Sequence, residues 1–142
     1  MLNALHANTG ALPRGKSSLQ VVKVGDATST CKLTRSVPGR PIVRNNVIAN
    51  AIQAVTPPDG HVQVTCQKTE QTVDIAVTDN GTGISPEVLE HIFEPYYTTK
   101  EEGKGTGLGL SISYGLIREM NGTIHVTTEL NLGTKFTITL PL

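Results

Sequence analysis

The chain is 142 residues long, the size of one domain in the usual range of about 100–200 residues, and its 12 Lys and Arg balance 12 Asp and Glu, so no net charge draws it to nucleic acid or to an anionic membrane. Hydrophobic residues make up 37% and charged residues 17%, which are globular proportions, while two cysteines, Cys31 and Cys66, are too few for a disulfide framework and lack the paired spacing of a zinc site. No apolar run approaches the roughly 20 residues that span a bilayer, so the expectation is a cytoplasmic domain making no direct membrane contact, even if its parent protein is anchored in one.

Residues 1–18 mix Asn, Gly, Pro and Ser without periodicity and read as a poorly ordered leader or linker remnant, leaving 19–142 as the folded domain. Residues 19–24 have strand composition, Gly25 and Asp26 a turn, and residues 31–35 form a second candidate strand before the turn at 38–41. Over 42–55, Val43, Val47, Ile48, Ala51, Ile52 and Val55 recur at helical spacing behind Pro41, and the helix must end before Pro57 and Pro58. Val62, Val64 and Cys66, then Val73, Ile75 and Val77, alternate with polar residues and predict two antiparallel strands joined by a turn at 68–71.

After the glycine-rich turn Asp79-Asn80-Gly81-Thr82-Gly83-Ile84, Ser85 and Pro86 start a short helix expected to reach Ile92. Residues 93–107 show no apolar period and have the length at which a structureless loop is usually a functional lid. A helix over 108–120 follows, ended by Asn121-Gly122, and a closing hairpin turns around Asn131-Leu132-Gly133. The predicted architecture is α+β, a two-layer α/β sandwich whose mixed, mostly antiparallel sheet is covered by helices on one face, with a flexible lid.

Two segments carry phosphate-binding patterns. Gly10-Ala11-Leu12-Pro13-Arg14-Gly15-Lys16-Ser17 matches a P-loop in full, but neither a buried strand before it nor a helix after it is predicted, and without them its backbone N–H groups cannot be aimed at a phosphate. The cluster Gly103-Lys104-Gly105-Thr106-Gly107-Leu108-Gly109-Leu110 is better placed, between a loop and a helix start where free N–H groups and the positive helix end favour an anion. Asp79, at a strand end and followed by Gly81 and Gly83, can accept a hydrogen bond from the exocyclic amine of a flat ring such as adenine. Asn46 and Asn50 share a helix face, and their amide oxygens suit magnesium, which takes one or two protein ligands beside phosphate.

In order and spacing these segments resemble the ATP-binding catalytic domain of bacterial two-component sensor histidine kinases, within the superfamily that includes DNA gyrase, the ninety-kilodalton heat-shock chaperone and the mismatch-repair ATPases. Residues 46–51 look like the N box, 79–83 the first glycine box, 93–100 the F box and 105–110 the second glycine box, so the resemblance runs from about residue 42 to the end. It implies an α/β sandwich of the Bergerat type with Mg-ATP held between helices and a lid. Asp79 would bind the adenine amino group with support from Thr134, and Asn50 would coordinate Mg2+ while Asn46 supports the phosphate side. Gly105, Gly107 and Gly109 would let the lid wrap the triphosphate, and Lys100 would contact phosphate. Gly81, Gly83 and the adjoining Ile84, with Thr106, Leu108 and Leu110, carry over as further nucleotide-binding positions, whereas Phe93 and Tyr96 are expected to pack the lid.

Superfamily members that hydrolyse ATP or phosphorylate serine typically carry a glutamate general base where this chain has Asn46, and an amide accepts no proton at neutral pH. Phosphoryl transfer to an already nucleophilic imidazole needs mainly positioning and charge neutralisation. The resemblance therefore implies transfer to a histidine on a separate dimerisation domain of the same or a sister chain, with a response regulator downstream. The alternatives are a superfamily ATPase or serine kinase, or a non-enzymatic ATP-sensing module. His6, His61, His91 and His125 lack the acceptor's surroundings and read as surface or structural residues, so no catalytic residue is assigned within the chain, which is expected to be a catalytic domain separated from its dimerisation segment.

Overall fold

The computed structural model describes residues 20–21, 40–56 and 59–142. The leader at 1–18, the P-loop match at 10–17, the strand expected at 31–35 and Cys31 lie outside the described residues.

Within them the elements are β1 (Gln20–Val21), α1 (Arg40–Ala54), β2 (His61–Lys68), β3 (Thr72–Asp79), α2 (Pro86–Leu89), α3 (Gly109–Glu119), β4 (Thr123–Glu129) and β5 (Gly133–Pro141). The sheet runs β1-β2-β3-β5-β4, with β1 parallel to β2 and every other pair antiparallel. The two-layer α+β expectation is met: Val62, Val64, Val77, Phe136, Ile138 and Leu140 from β2, β3 and β5 join the apolar faces of α1 and α3 in one core, with Val47, Val62, Val77, Ile117 and Ile138 among its most buried residues.

α1 buries the predicted stripe Val43, Val47, Ile48, Ala51 and Ile52, with Val55 just beyond its end. α3 ends in a Schellman motif: Asn121 takes a φ of 56°, its N–H donates to Arg118 O at 3.0 Å, and the Gly122 N–H donates to Ile117 O at 2.8 Å. Gly122 is required there because a Cβ would lie 2.7 Å from the Thr139 carbonyl oxygen of β5.

α2 is shorter than predicted and stops at Leu89 rather than Ile92. Ser85 does cap it, accepting from the Val88 N–H at 3.4 Å, but the chain then tightens into three-residue turns, His91 N–H to Val88 O and Glu94 N–H to His91 O. Pro95 keeps the chain from resuming a helix at Glu94, since the residue before a proline is pushed out of the helical region. From there to α3 the chain is irregular, as expected for a lid.

Candidate functional site

The cleft is built by the ends of elements. β3 delivers Asp79 at its carboxyl end, between Val62 of β2 and Thr134 of β5. The register depends on Gly133, whose φ is 128° and where a Cβ would fall 2.0 Å from the Asp79 carbonyl oxygen, so no other residue can begin β5 beside that strand end. Asp79 is 5% exposed, and its Oδ1 accepts the Gly81 N–H at 2.9 Å. Burial raises its pKa above the ordinary carboxylate value, while the N–H groups of Gly81 and Thr134 and the nearby His61 pull it back only in part.

Opposite Asp79, α1 presents Asn46, Asn50 and Gln53 to a cavity of about 390 Å3, and the lid closes it with Lys100, Lys104 and Gly105–Gly107. Of the residues singled out from sequence, Asn46, Asn50, Asp79, Ile84, Lys100, Gly105, Thr106, Gly107, Gly109 and Leu110 all line this cavity. Residues distant in sequence thus converge on one cleft.

Gly81, Gly83, Leu108 and Thr134 are not among its lining residues. A Cβ at Gly81 would meet the Ala54 carbonyl oxygen at 2.4 Å, and one at Gly83 the Glu129 carbonyl oxygen at 2.2 Å, so the first pair of glycines lets the turn close against α1 and the β4–β5 connection. Thr134 aligns with Asp79 through the strand ladder, while its hydroxyl pairs with Thr128 Oγ1 at 2.9 Å. Leu108 is the residue that caps α3.

Asn46 does more than line the wall. Its Nδ2 donates to the Gly109 carbonyl at 3.0 Å and to Ser113 Oγ at 3.1 Å, and the Ser113 hydroxyl donates in turn to Gly109 O at 2.8 Å. Ser113 is fully buried, so this triangle fixes the first turn of α3, where the lid ends, against α1. Asn50, one turn further along α1, has no side-chain hydrogen-bond partner among the described residues and lines the cavity, leaving its amide oxygen available to a ligand. One hard oxygen ligand suits magnesium, which otherwise keeps waters and phosphate oxygens. Among the described residues no three His, Cys, Asp or Glu side chains gather to hold a metal by themselves.

The lid is anchored at both ends of its first half. Phe93 packs against Tyr114 of α3 with ring centroids 5.1 Å apart, as expected of a packing residue. Tyr96 departs from that expectation: the residue is 75% exposed, and its backbone N–H donates to Gly107 O at 2.9 Å. Tyr97 faces the cavity and meets the ring of His91, which bonds Glu94 at 2.7 Å and is thereby held more basic than an ordinary histidine. His61 and His125 are exposed strand residues, in keeping with surface roles.

Sequence reasoning missed Gln53 and Ser113, and it named Tyr97 and Lys104 only as members of the F box and of the glycine-rich phosphate-binding segment. Gln53 had a readable signal, being seven residues after Asn46 on the same helix face. Ser113 had none, because its role exists only once α1 and α3 meet.

The family described as histidine kinase-, DNA gyrase B-, and HSP90-like ATPase matches residues 42–142. The two-component sensor PprA of Pseudomonas aeruginosa is 44% identical over 104 aligned positions, covering 68% of this chain and 11% of PprA. Among solved structures, the catalytic domain of histidine kinase ThkA superimposes with a TM-score of 0.62 at 34% identity, covering 71% of this chain and 64% of that one. Full-length ShkA in complex with AMPPNP gives a TM-score of 0.62 at 30% identity, covering 71% of this chain and 21% of ShkA. The chain thus spans only a small part of PprA and ShkA.

Proposed function

Because the chain belongs to the histidine kinase-, DNA gyrase B- and HSP90-like ATPase family, we propose that it binds Mg-ATP in the cleft between α1 and the lid and donates the γ-phosphoryl group to a histidine on a separate dimerisation domain. The observation that carries this reading is the convergence of Asp79, Asn50 and Lys100 on one cavity of about 390 Å3, a size suited to a small-molecule ligand. The AMPPNP carried by ShkA, a relative in structure, supports the choice of ligand.

In this reading residues 19–142 act as the catalytic domain, with residues 1–18 a leader or linker remnant. Asp79 accepts the adenine amine, with Thr134 holding its strand in register. Gly81, Gly83 and Ile84 shape the turn beside the base. Asn50 gives its amide oxygen to Mg2+, which when bound neutralises charge on the phosphate oxygens. Lys100 faces the phosphates, and Gly105, Thr106, Gly107, Leu108, Gly109 and Leu110 bring the lid and the α3 N-terminus to them. Asn46 keeps that N-terminus in place. The acceptor imidazole nitrogen bonds to the γ-phosphorus as the bond to the β–γ bridging oxygen breaks, and ADP leaves with that oxygen.

The phosphorylated histidine then passes its phosphoryl group to a response regulator, and the domain works in the cytoplasm. Among the described residues no helix is long and apolar enough to cross a membrane.

Base recognition gives a direct test. Guanine presents a carbonyl oxygen where adenine presents its amine, so the Asp79 carboxylate would face an acceptor. Calorimetric titration with magnesium present is expected to show ATP bound at least about tenfold more tightly than GTP. Equal affinity for the two would overturn the assignment of Asp79.

A further inference from the structure

On the reading of the cleft as a nucleotide site, we infer that Gln53 is a positioning residue that acts through Lys100, holding the lid's ammonium over the cleft without neutralising it. A lysine on an exposed loop samples many rotamers, and its charge has a defined place only where other groups hold it. One contact holds it here, and two local features constrain the residue around it. The Lys100 Nζ donates across the cleft to the side-chain oxygen of Gln53. Its backbone N–H donates to Thr98 Oγ1 at 3.1 Å. Its aliphatic stem lies beside Gly105, where a Cβ would come within 2.9 Å of Lys100 Cδ. Gln53 is itself set by α1, three residues beyond Asn50 and on the same cavity wall.

The chemistry of the partner matters as much as the contact. Lys104, the other lid cation on the cavity, is paired with the carboxylate of Glu101. Gln53 offers a neutral amide oxygen, so Lys100 is oriented while keeping its full charge, and two of its three N–H donors remain for an incoming anion. A carboxylate at position 53 would hold the lysine as well but cancel its charge and repel phosphate. An alanine would release the lysine to solvent.

The test is calorimetric titration of the 142-residue chain with ATP and with adenosine, both in the presence of magnesium, because only ATP carries the phosphates that Lys100 would meet. Gln53→Ala is expected to weaken ATP about 3- to 10-fold and leave adenosine unchanged. Lys100→Ala should cost ATP at least as much, and the double variant should lose no more than Lys100→Ala alone. Gln53→Glu should weaken ATP further than Gln53→Ala, again sparing adenosine.

Unchanged ATP affinity in Gln53→Ala would overturn the inference, and so would additive losses in the double variant, which would mean that Gln53 contacts phosphate itself. Equal weakening of ATP and adenosine would reduce Gln53 to a structural role. A wild-type chain that binds neither ligand would overturn the nucleotide reading as well, whereas normal adenosine binding with no effect of Gln53 overturns this inference alone.

Discussion

A buried carboxylate such as Asp79 costs folding energy until a donor arrives to use it. Its pKa lies above the ordinary value because burial outweighs the N–H groups of Gly81 and Thr134 and the His61 charge. A raised acid pKa contributes stability that is present below the unfolded pKa, about 4, and is lost as pH rises through the folded pKa, so at neutral pH the ionised group works against the fold. Asp79→Asn keeps the acceptor for the Gly81 N–H and removes the charge. The ligand-free variant should therefore melt at a higher temperature than the parent at pH 7, with the gap closing towards pH 4. A lower melting temperature at pH 7 would show that the carboxylate is stabilising. Asn46 is the opposite case, a residue whose donors are already in use. Asn46→Asp replaces the amide donor with an acceptor facing the Gly109 carbonyl, 3.0 Å away, and should cost about 1–3 kcal/mol in denaturant unfolding. A neutral result would mean that the Asn46, Gly109 and Ser113 triangle contributes nothing to joining α1 and α3.

At the scale of elements, the lid owes its shape to where its glycines meet other backbone. Gly107 has a φ of 67° and a Cβ there would lie 2.4 Å from the Tyr96 carbonyl carbon, whereas Gly103 has a φ of 84° with nothing within 4 Å. Gly107→Ala must both strain the backbone and displace residue 96, while Gly103→Ala meets only the strain, about 1–3 kcal/mol. ATP affinity should therefore fall further in Gly107→Ala than in Gly103→Ala. Equal effects in the two variants would show that the Tyr96 and Gly107 contact does not shape the lid. The same contrast explains what was legible in the sequence. The helices α1 and α3 and the strands β2, β3 and β5 were readable because each repeats its apolar period over several turns or pleats. The end of α2 was not, because the turns before Pro95 keep apolar residues at helical spacing without forming a helix. The candidate site was readable wherever chemistry is carried by a residue type in a pattern, as at Asp79, Asn50 and the second glycine box. The part played by Gly81 and Gly83 was not, because their neighbours Ala54 and Glu129 are brought to them only by the folded sheet. Ser113 was missed for the same reason, since its partner Asn46 lies 67 residues away, whereas Gln53 stands on the helix face already marked by Asn46 and Asn50 and only its partner Lys100, 47 residues away, was hidden.

At the scale of the whole molecule, the sheet and the helical layer share a core among the described residues, and the cavity opens where the carboxyl end of β3, the cleft face of α1 and the N-terminus of α3 meet. The core fixes all three, so the site is a property of the assembled fold rather than of any one segment, and the lid supplies the remaining wall. Asn46 supplies no base for water: its amide donors are engaged with α3, and an amide takes no proton at neutral pH. A domain built this way should hold Mg-ATP without consuming it until a histidine is presented. Phosphorus NMR of Mg-ATP with a substoichiometric amount of the chain, followed for hours, reads both properties at once. The expected result is broadening of the ATP resonances with no growth of inorganic phosphate. Steady phosphate growth would contradict the transfer chemistry and make the chain an ATPase, and sharp, unchanged resonances that persist at higher protein concentration would contradict nucleotide binding itself.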